Sequence, residues 1–436
     1  DAPAGPTQNI VALAQANPQL SSLVTALVKY PDLVTTLSGS TTSFTVFAPT
    51  NAAFENLLNA IGQESIDDLP EDVLRNVLEY HVLAGAAVRS TQLTAGDIEM
   101  VNGEDVTVSL TGGVRLNGSV NVTTADVSAT NGVVHVVDAV LVPPSILPIV
   151  GTIVAPAYFN KNFTTLVAAV VQADLLETLL DAEADFTLFA PTNDAFAAAG
   201  INALPPNTTE GNATLTSILL YHVIDGSIFS DELPASDDNA PVEVTTLGGK
   251  FYLTNKGSGV FINGSTEVVA TDIEASNGVV HVIDRTLVPP SDNIATIATE
   301  AGFSQLVAAV AKFDDLLAAV QDADASLTVF APTDAAFQAL YEAQDVADLD
   351  ALVAKLGAAN VKKVLLHHLV GAKVFSSDLV GGGVGTLNED EFNINLTTLT
   401  ITSSGETEAG LDAESLNILA TNGVIHVIDA VLIPAL

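Results

Sequence analysis

The stretch Asn131-Gly-Val-Val-His-Val-Val-Asp-Ala-Val-Leu-Val-Pro-Pro144 returns as Asn277 to Pro290 and again as Asn422 to Ala435. Recurrence at roughly 145 residues, an ordinary domain size, divides the chain into three similar units, expected at 1–147, 148–291 and 292–436. Solenoid repeats are far shorter and cannot fold alone, so tandem domains are expected instead. Each copy opens with Asn-Gly, runs through β-branched residues around a histidine and stops at proline. That order predicts a turn, a strand and an exit from the domain.

Two further blocks recur ahead of it. The first is Phe44-Thr-Val-Phe-Ala-Pro-Thr-Asn-Ala-Ala-Phe54, with Phe186 to Phe196 and Leu327 to Phe337 as its copies. Four alternating residues predict a short strand that proline ends, and Thr50, Thr192 and Thr333 are placed to cap the following helix. The second block is Tyr80-His81-Val-Leu-Ala-Gly85, repeated as Tyr221-His222 and, with tyrosine replaced, as His367-His368. Each unit begins with apolar residues at helical spacing: Ile10 to Val28, interrupted at Pro18, then Leu166 to Leu180 and Leu306 to Val320. Between the Tyr-His block and the Asn-Gly block lie short β-rich runs that differ between units. Gly381-Gly-Gly383 reads as a flexible turn peculiar to the third.

Thirteen Lys and Arg stand against 52 Asp and Glu, a net charge of −39. So few bases leave no patch to displace phosphate counterions, which excludes nucleic acid as a partner class. Divalent cations can condense diffusely on such a surface without a dedicated site. There is no cysteine, hence no disulfide framework or thiol chemistry. No apolar run approaches the ~18 residues of a membrane helix, so no transmembrane segment is expected. The start Asp1-Ala-Pro-Ala-Gly-Pro6 lacks the basic and apolar regions of a secretory leader, and a signal peptide already removed is expected. Asn-x-Ser/Thr triplets at Asn117, Asn121, Asn162, Asn207, Asn212, Asn263 and Asn395 are candidate N-glycosylation sites.

In these blocks the chain resembles the fasciclin domain family. The Phe-Thr-Val-Phe-Ala-Pro-Thr block is similar to its first signature, the Tyr-His block to its central one and the Asn-Gly-Val-Val-His-Val-Ile-Asp block to its second. All three occur in order in each unit. The resemblance implies an α/β (α+β) fold of three tandem fasciclin-type domains, each a twisted β-sandwich or wedge packed against several helices. It also implies a secreted or cell-surface adhesion, matrix or biofilm protein without catalysis. The Tyr-His region is linked to cell-surface binding in animal members. That points to Tyr80, His81, Tyr221, His222, His367 and His368 as a candidate adhesion region, with a departure at His367.

The seven histidines all belong to the repeats, which invites a catalytic or metal reading. Against it, no His-x-x-x-His or cysteine cluster converges on a metal, and no nucleophile elbow accompanies a histidine. His135 should share a strand face with Val133 and Val137, as a buried imidazole hydrogen-bonded to backbone. Asp138, Asp284 and Asp429 follow their histidines at an odd offset, which suits backbone hydrogen bonding rather than a His-Asp relay. Asn131, His135, Asp138, Asn277, His281, Asp284, Asn422, His426 and Asp429 are therefore read as a structural motif. Asp126, Asp272 and Asn417 read as turn-stabilising side chains. No cofactor is expected. The expected function is multivalent binding to a cell-surface or matrix protein, a polysaccharide or the chain itself. A self-assembling structural subunit and a small-ligand-binding module are the alternatives.

Overall fold

The structure is a computed structural model that describes residues 5–236, 241–256, 259–379 and 381–436. The Asp1–Pro6 start thus lies mostly outside the described residues. By contact density the chain divides into two compact units. One comprises Asp1–Asp194, Ala203–Asn212 and Asp272–His281, the other Ala195–Asn202, Ala213–Thr271 and Val282–Leu436. The first repeat lies in one unit and the third in the other, while the division passes through the second.

In the first repeat the amino-terminal apolar segment is several short helices: Ile10–Ala16, Ser21–Leu27 and Pro31–Ser38. Asn9 caps the first through its side chain, and Pro18 opens a 3-10 turn rather than kinking a continuous helix. The third repeat breaks its segment likewise into Ile294–Glu300, Ser304–Val310 and Asp314–Gln321. The extra residues before its Tyr-His block form an additional helix, Leu349–Leu356, ahead of Ala358–His367.

The seven strands of the first repeat run in the order Val82–Ala84, Phe44–Pro49, Gly132–Val137, Val120–Ala129, Arg115–Leu116, Asp105–Ser109 and Gly96–Glu99. The third repeat divides the equivalent strands into two four-stranded sheets. The recurring blocks meet at the centre: Phe44–Pro49 pairs in parallel with Gly132–Val137, and Leu327–Pro332 with Gly423–Ile428. A parallel pair of this kind is covered on both faces. The short strand expected at Phe44 is present, and all six residues of each of these strands are buried, as suits a central pair.

Two cores therefore share one strand pair. In the third repeat Leu327, Val329, Ala331, Ile425 and Val427 face the helices, while Phe330 and Ile428 pack with Phe392, Ile394 and Ile401 between the sheets. Phe47 and Val137 do the same in the first repeat, against Val106, Val108 and Leu116. Thr50 and Thr333 cap the helices after their strands through side-chain oxygens.

Two turn assignments differ from the sequence reading. Gly382–Gly385 is an edge strand paired with Glu391–Asn395, not a turn. At Asn131-Gly132 the hairpin ends pair Ala129 with Gly132, so the turn residues are Thr130 and Asn131, and glycine already belongs to the strand. Its requirement is space: a Cβ on Gly132, Gly278 or Gly423 would collide with the carbonyl oxygen of Phe44, Phe186 or Leu327. The left-handed Asn-Gly hairpin occurs elsewhere, at Asn117-Gly118 and Asn263-Gly264, where φ is 49° and 75° in both pairs. Among the described residues no helix is long and apolar enough to cross a membrane.

Candidate functional site

The asparagine of the recurring motif is a three-point clasp. Asn131 accepts the N–H of Ile10 (3.0 Å) and donates to the carbonyls of Leu37 (2.7 Å) and Gly39 (2.8 Å). Asn277 does the same with Ile153, Leu179 and Asp181, and Asn422 with Ile294, Val320 and Asp322. All three side chains are buried. One amide thus satisfies both the start of the first helix and the loop leaving the helical segment, which only a group with donor and acceptor ends can do.

Six of the seven histidines fall into two classes, with opposite ring nitrogens facing a backbone N–H. His81, His222 and His368 end their helices; each Nδ1–H donates to the carbonyl four residues back, at Val77, Ile218 and Val364, at 2.7–2.8 Å. Each Nε2 then accepts a backbone N–H, from Leu141, Leu287 or Leu432, at 2.9 Å. His135 and His426 reverse the pattern, with Nε2–H donating to Val88 and Val374 and Nδ1 accepting from Asp126 and Asn417. His281 Nδ1 accepts likewise from Asp272. Asp126, Asp272 and Asn417 sit at φ of 59–63°, a left-handed conformation that Asp and Asn tolerate best. In the first repeat the strand register also shifts between Thr124 and Val127, the mark of a bulge. This geometry aims a backbone N–H at the imidazole. Each ring lies on a phenylalanine, with centroids 5.3–5.6 Å from Phe47, Phe189 and Phe330.

Both ring nitrogens of His81, His135, His222, His368 and His426 are thereby engaged in a neutral ring, leaving none for a metal or for proton abstraction. Burial pushes His81, His222, His368 and His426 down to about 4, against a smaller opposing effect of the carbonyl each ring meets. Among the described residues no group of His, Asp and Glu converges as a metal site. Asp138, Asp284 and Asp429 are exposed and accept the N–H of Asn121, Glu267 and Gly410 respectively.

The side chains of the candidate adhesion region lie inside the domains. Tyr80, His81, Tyr221, His222, His367 and His368 are 0–2% exposed, so none presents its side chain to a partner. The Tyr80 hydroxyl donates to the Asp105 carbonyl and accepts from Asn117; Tyr221 does the same with Lys250 and Asn263. In the third repeat His367 contacts Asn388 and Thr386 through Nδ1 and leaves Nε2 without a partner.

These bonds also bear on the glycosylation triplets. Asn263 is buried, and the Nδ2 atoms of Asn117, Asn121 and Asn212 are held by Tyr80, Asp138 and Asn207. A glycan on any of these four would displace a side chain already in use. Asn162, Asn207 and Asn395 are exposed.

What the repeated block does present lies beside it. Val101, Leu247 and Leu387 each donate a backbone N–H to the residue just after the Tyr-His pair, Val82, Val223 or Leu369, at 2.8–2.9 Å. Their apolar side chains are 43%, 44% and 41% exposed. Sequence reasoning passed over them because they lie in the runs that do not align. The available signal was an apolar residue directly before a turn: Val101-Asn-Gly103, Leu247-Gly-Gly249 and Leu387-Asn-Glu389.

Comparison with known proteins places these features among others. The family model described as Fasciclin domain matches residues 18–143, 161–289 and 301–434. Transforming growth factor-beta-induced protein ig-h3 of Sus scrofa is 29% identical over 98% of this chain, which spans 58% of that protein's length. Cell surface glycolipoprotein MPB83 of Mycobacterium bovis is 39% identical over 33% of this chain and 64% of its own. A solved FAS1 domain pair from the insect cell adhesion molecule Fasciclin I aligns over 63% of this chain and 98% of its own, at 19% identity and a TM-score of 0.29.

Proposed function

Because the chain belongs to the fasciclin domain family, with three tandem fasciclin domains, we propose that it is a non-catalytic adhesion or matrix protein acting outside the cell or at its surface. The observation that carries this reading is the threefold repetition of one exposed apolar residue, Val101, Leu247 or Leu387, pinned against a rigid block. The motif histidines and asparagines are occupied in holding the fold, which leaves surface display as the mechanism. Three equivalent weak contacts on one chain multiply by effective concentration, so affinity arises from linkage rather than from any single site.

The partner class is a cell-surface or matrix protein, a polysaccharide or a second copy of the chain, reached after secretion and leader removal. The relative whose name places it at a cell surface supports the location. Divalent cations would act on the acidic surface by screening. Asn162, Asn207 and Asn395 are the triplets open to glycosylation, and the modules divide at 147/148 and 291/292. The test is adhesion to immobilised matrix proteins and polysaccharides, with and without calcium. The variant is Val101→Asp/Leu247→Asp/Leu387→Asp, whose solvent-facing changes leave the core intact. Loss of adhesion in the folded triple variant, with intermediate loss in single variants, is expected; unchanged adhesion refutes the reading.

A further inference from the structure

In the third repeat the Ile294–Glu300, Ser304–Val310 and Asp314–Gln321 helices line, with Val329 of the Leu327–Pro332 strand, a solvent-open cavity of about 620 Å³. The same place in the first repeat holds only about 60 Å³. The asparagine clasps match the two positions residue by residue, since Ile10 and Ile294, and Leu37 and Val320, meet the same atoms of Asn131 and Asn422. On that alignment Val11, Leu27 and Leu37 of the first repeat become Ala295, Val310 and Val320, each smaller and each lining the larger cavity. These three exchanges add room in the third repeat, while Leu317 and Leu369, standing where the first repeat has Val34 and Val82, take part of it back.

The cavity's chemistry limits its occupant. Its walls include Ala298, Leu306, Val310, Leu316, Val320 and Val329. His368 also lines it, but both ring nitrogens are committed to Val364 and Leu432, so it offers no polar handle. The cavity's other polar lining residues are Asn293, Thr296, Thr299, Gln321 and Glu300, of which Thr299, Glu300 and Gln321 are exposed to solvent, and no Lys or Arg is among the lining residues. With a net charge of −39 on the chain, an anionic ligand would be repelled and a neutral one tolerated. A volume of this size suits burial of a small organic molecule, and apolar walls without partner atoms gain dispersion contacts when one enters.

We propose that the third repeat binds a neutral, chiefly hydrocarbon small molecule with a hydroxyl-type end at the mouth, a long-chain alcohol being the simplest representative. This function is separate from adhesion and uses none of the three exposed apolar residues.

The test uses the full chain and the neutral fluorophore N-phenyl-1-naphthylamine, with 1-dodecanol and dodecanoate as competitors at neutral pH. Expected is saturable enhancement at one site per chain, displaced by the alcohol about tenfold better than by the carboxylate. Ala295→Val/Val310→Leu/Val320→Leu, which copies the first repeat, should weaken binding by about tenfold or more while keeping the helical circular dichroism and raising the melting temperature. Should that variant misfold, Val310→Leu alone should still weaken binding measurably. Absent saturation, undiminished binding in the folded variant, or equal displacement by dodecanoate overturns the proposal. So does dimerisation that closes the site to the fluorophore, since the occupant is then a second copy of the chain.

Discussion

Lowering the pH from 7 to 5 should destabilise the third repeat. His368 and His426 are both pushed down to about 4 by burial, His368 further by the neighbouring His367. In the unfolded chain both return to about 6.5. The unfolded state therefore binds more protons between these values, and stability is lost as the pH falls through this window. Each histidine costs about 2 kcal/mol at pH 5, relative to pH 7, and about 3 kcal/mol once the pH lies below both values.

Two such groups give the third repeat a loss of about 4 kcal/mol at pH 5, a large part of a domain's usual 5–15 kcal/mol. His81 and His222 contribute about 2 kcal/mol to each of the other repeats on the same grounds. Carboxylates held low by hydrogen bonds, such as Asp126 beside Ser90, contribute stability that is lost only on further acidification. Asp378 works the other way: burial raises its carboxyl, so its contribution grows as the pH falls. Calorimetry at pH 7 and pH 5 should show a component shifted down by about 10–15 °C. His368→Gln/His426→Gln should abolish most of that component's shift. A melting profile unchanged or raised at pH 5, or a full shift retained in the double variant, refutes the reasoning.

Three further outcomes follow from the same geometry. Asn422→Ala strands the Ile294 N–H and the carbonyls of Val320 and Asp322. It should cost about 3–5 kcal/mol in urea unfolding, whereas Asp429→Ala, at an exposed position, should cost under about 1 kcal/mol. Gly423→Ala drives a methyl into the Leu327 carbonyl and should lower the melting temperature more than Gly385→Ala, at a position where an added Cβ meets no atom within 4 Å. Tyr221→Phe removes the donor to Lys250 and the acceptor for Asn263, an expected loss of about 1–3 kcal/mol by thermal melting.

The organisation into three units was legible because the blocks that repeat are those with the strictest local demands. Asn131 must both donate and accept, Gly132 must lack a Cβ, and Phe47 must carry a histidine ring. Burial on both faces was harder to read, since Phe-Thr-Val-Phe includes a threonine that looks solvent-facing; Thr45 is nonetheless fully buried, with its hydroxyl donating to the Ala86 carbonyl. The Gly382–Gly385 strand was illegible for a related reason: its pairing comes from the partner strand Glu391–Asn395, not from its own propensity. The exposed residues Val101, Leu247 and Leu387 share a position only through a hydrogen bond to the Tyr-His block, and residue spacing carries no trace of that. The cavity of the third repeat depends on small differences such as Leu27 against Val310, which keep the helical pattern while changing the volume.

The central claim is that the repeated histidines are neutral parts of the framework, leaving the surface to do the binding. Nitrogen-15 NMR of the imidazoles at pH 7 tests it most directly. The prediction is fixed neutral tautomers, with the proton on Nδ1 in His81, His222 and His368 and on Nε2 in His135 and His426. Protonated rings at that pH, or tautomers averaging as in free imidazole, would contradict it.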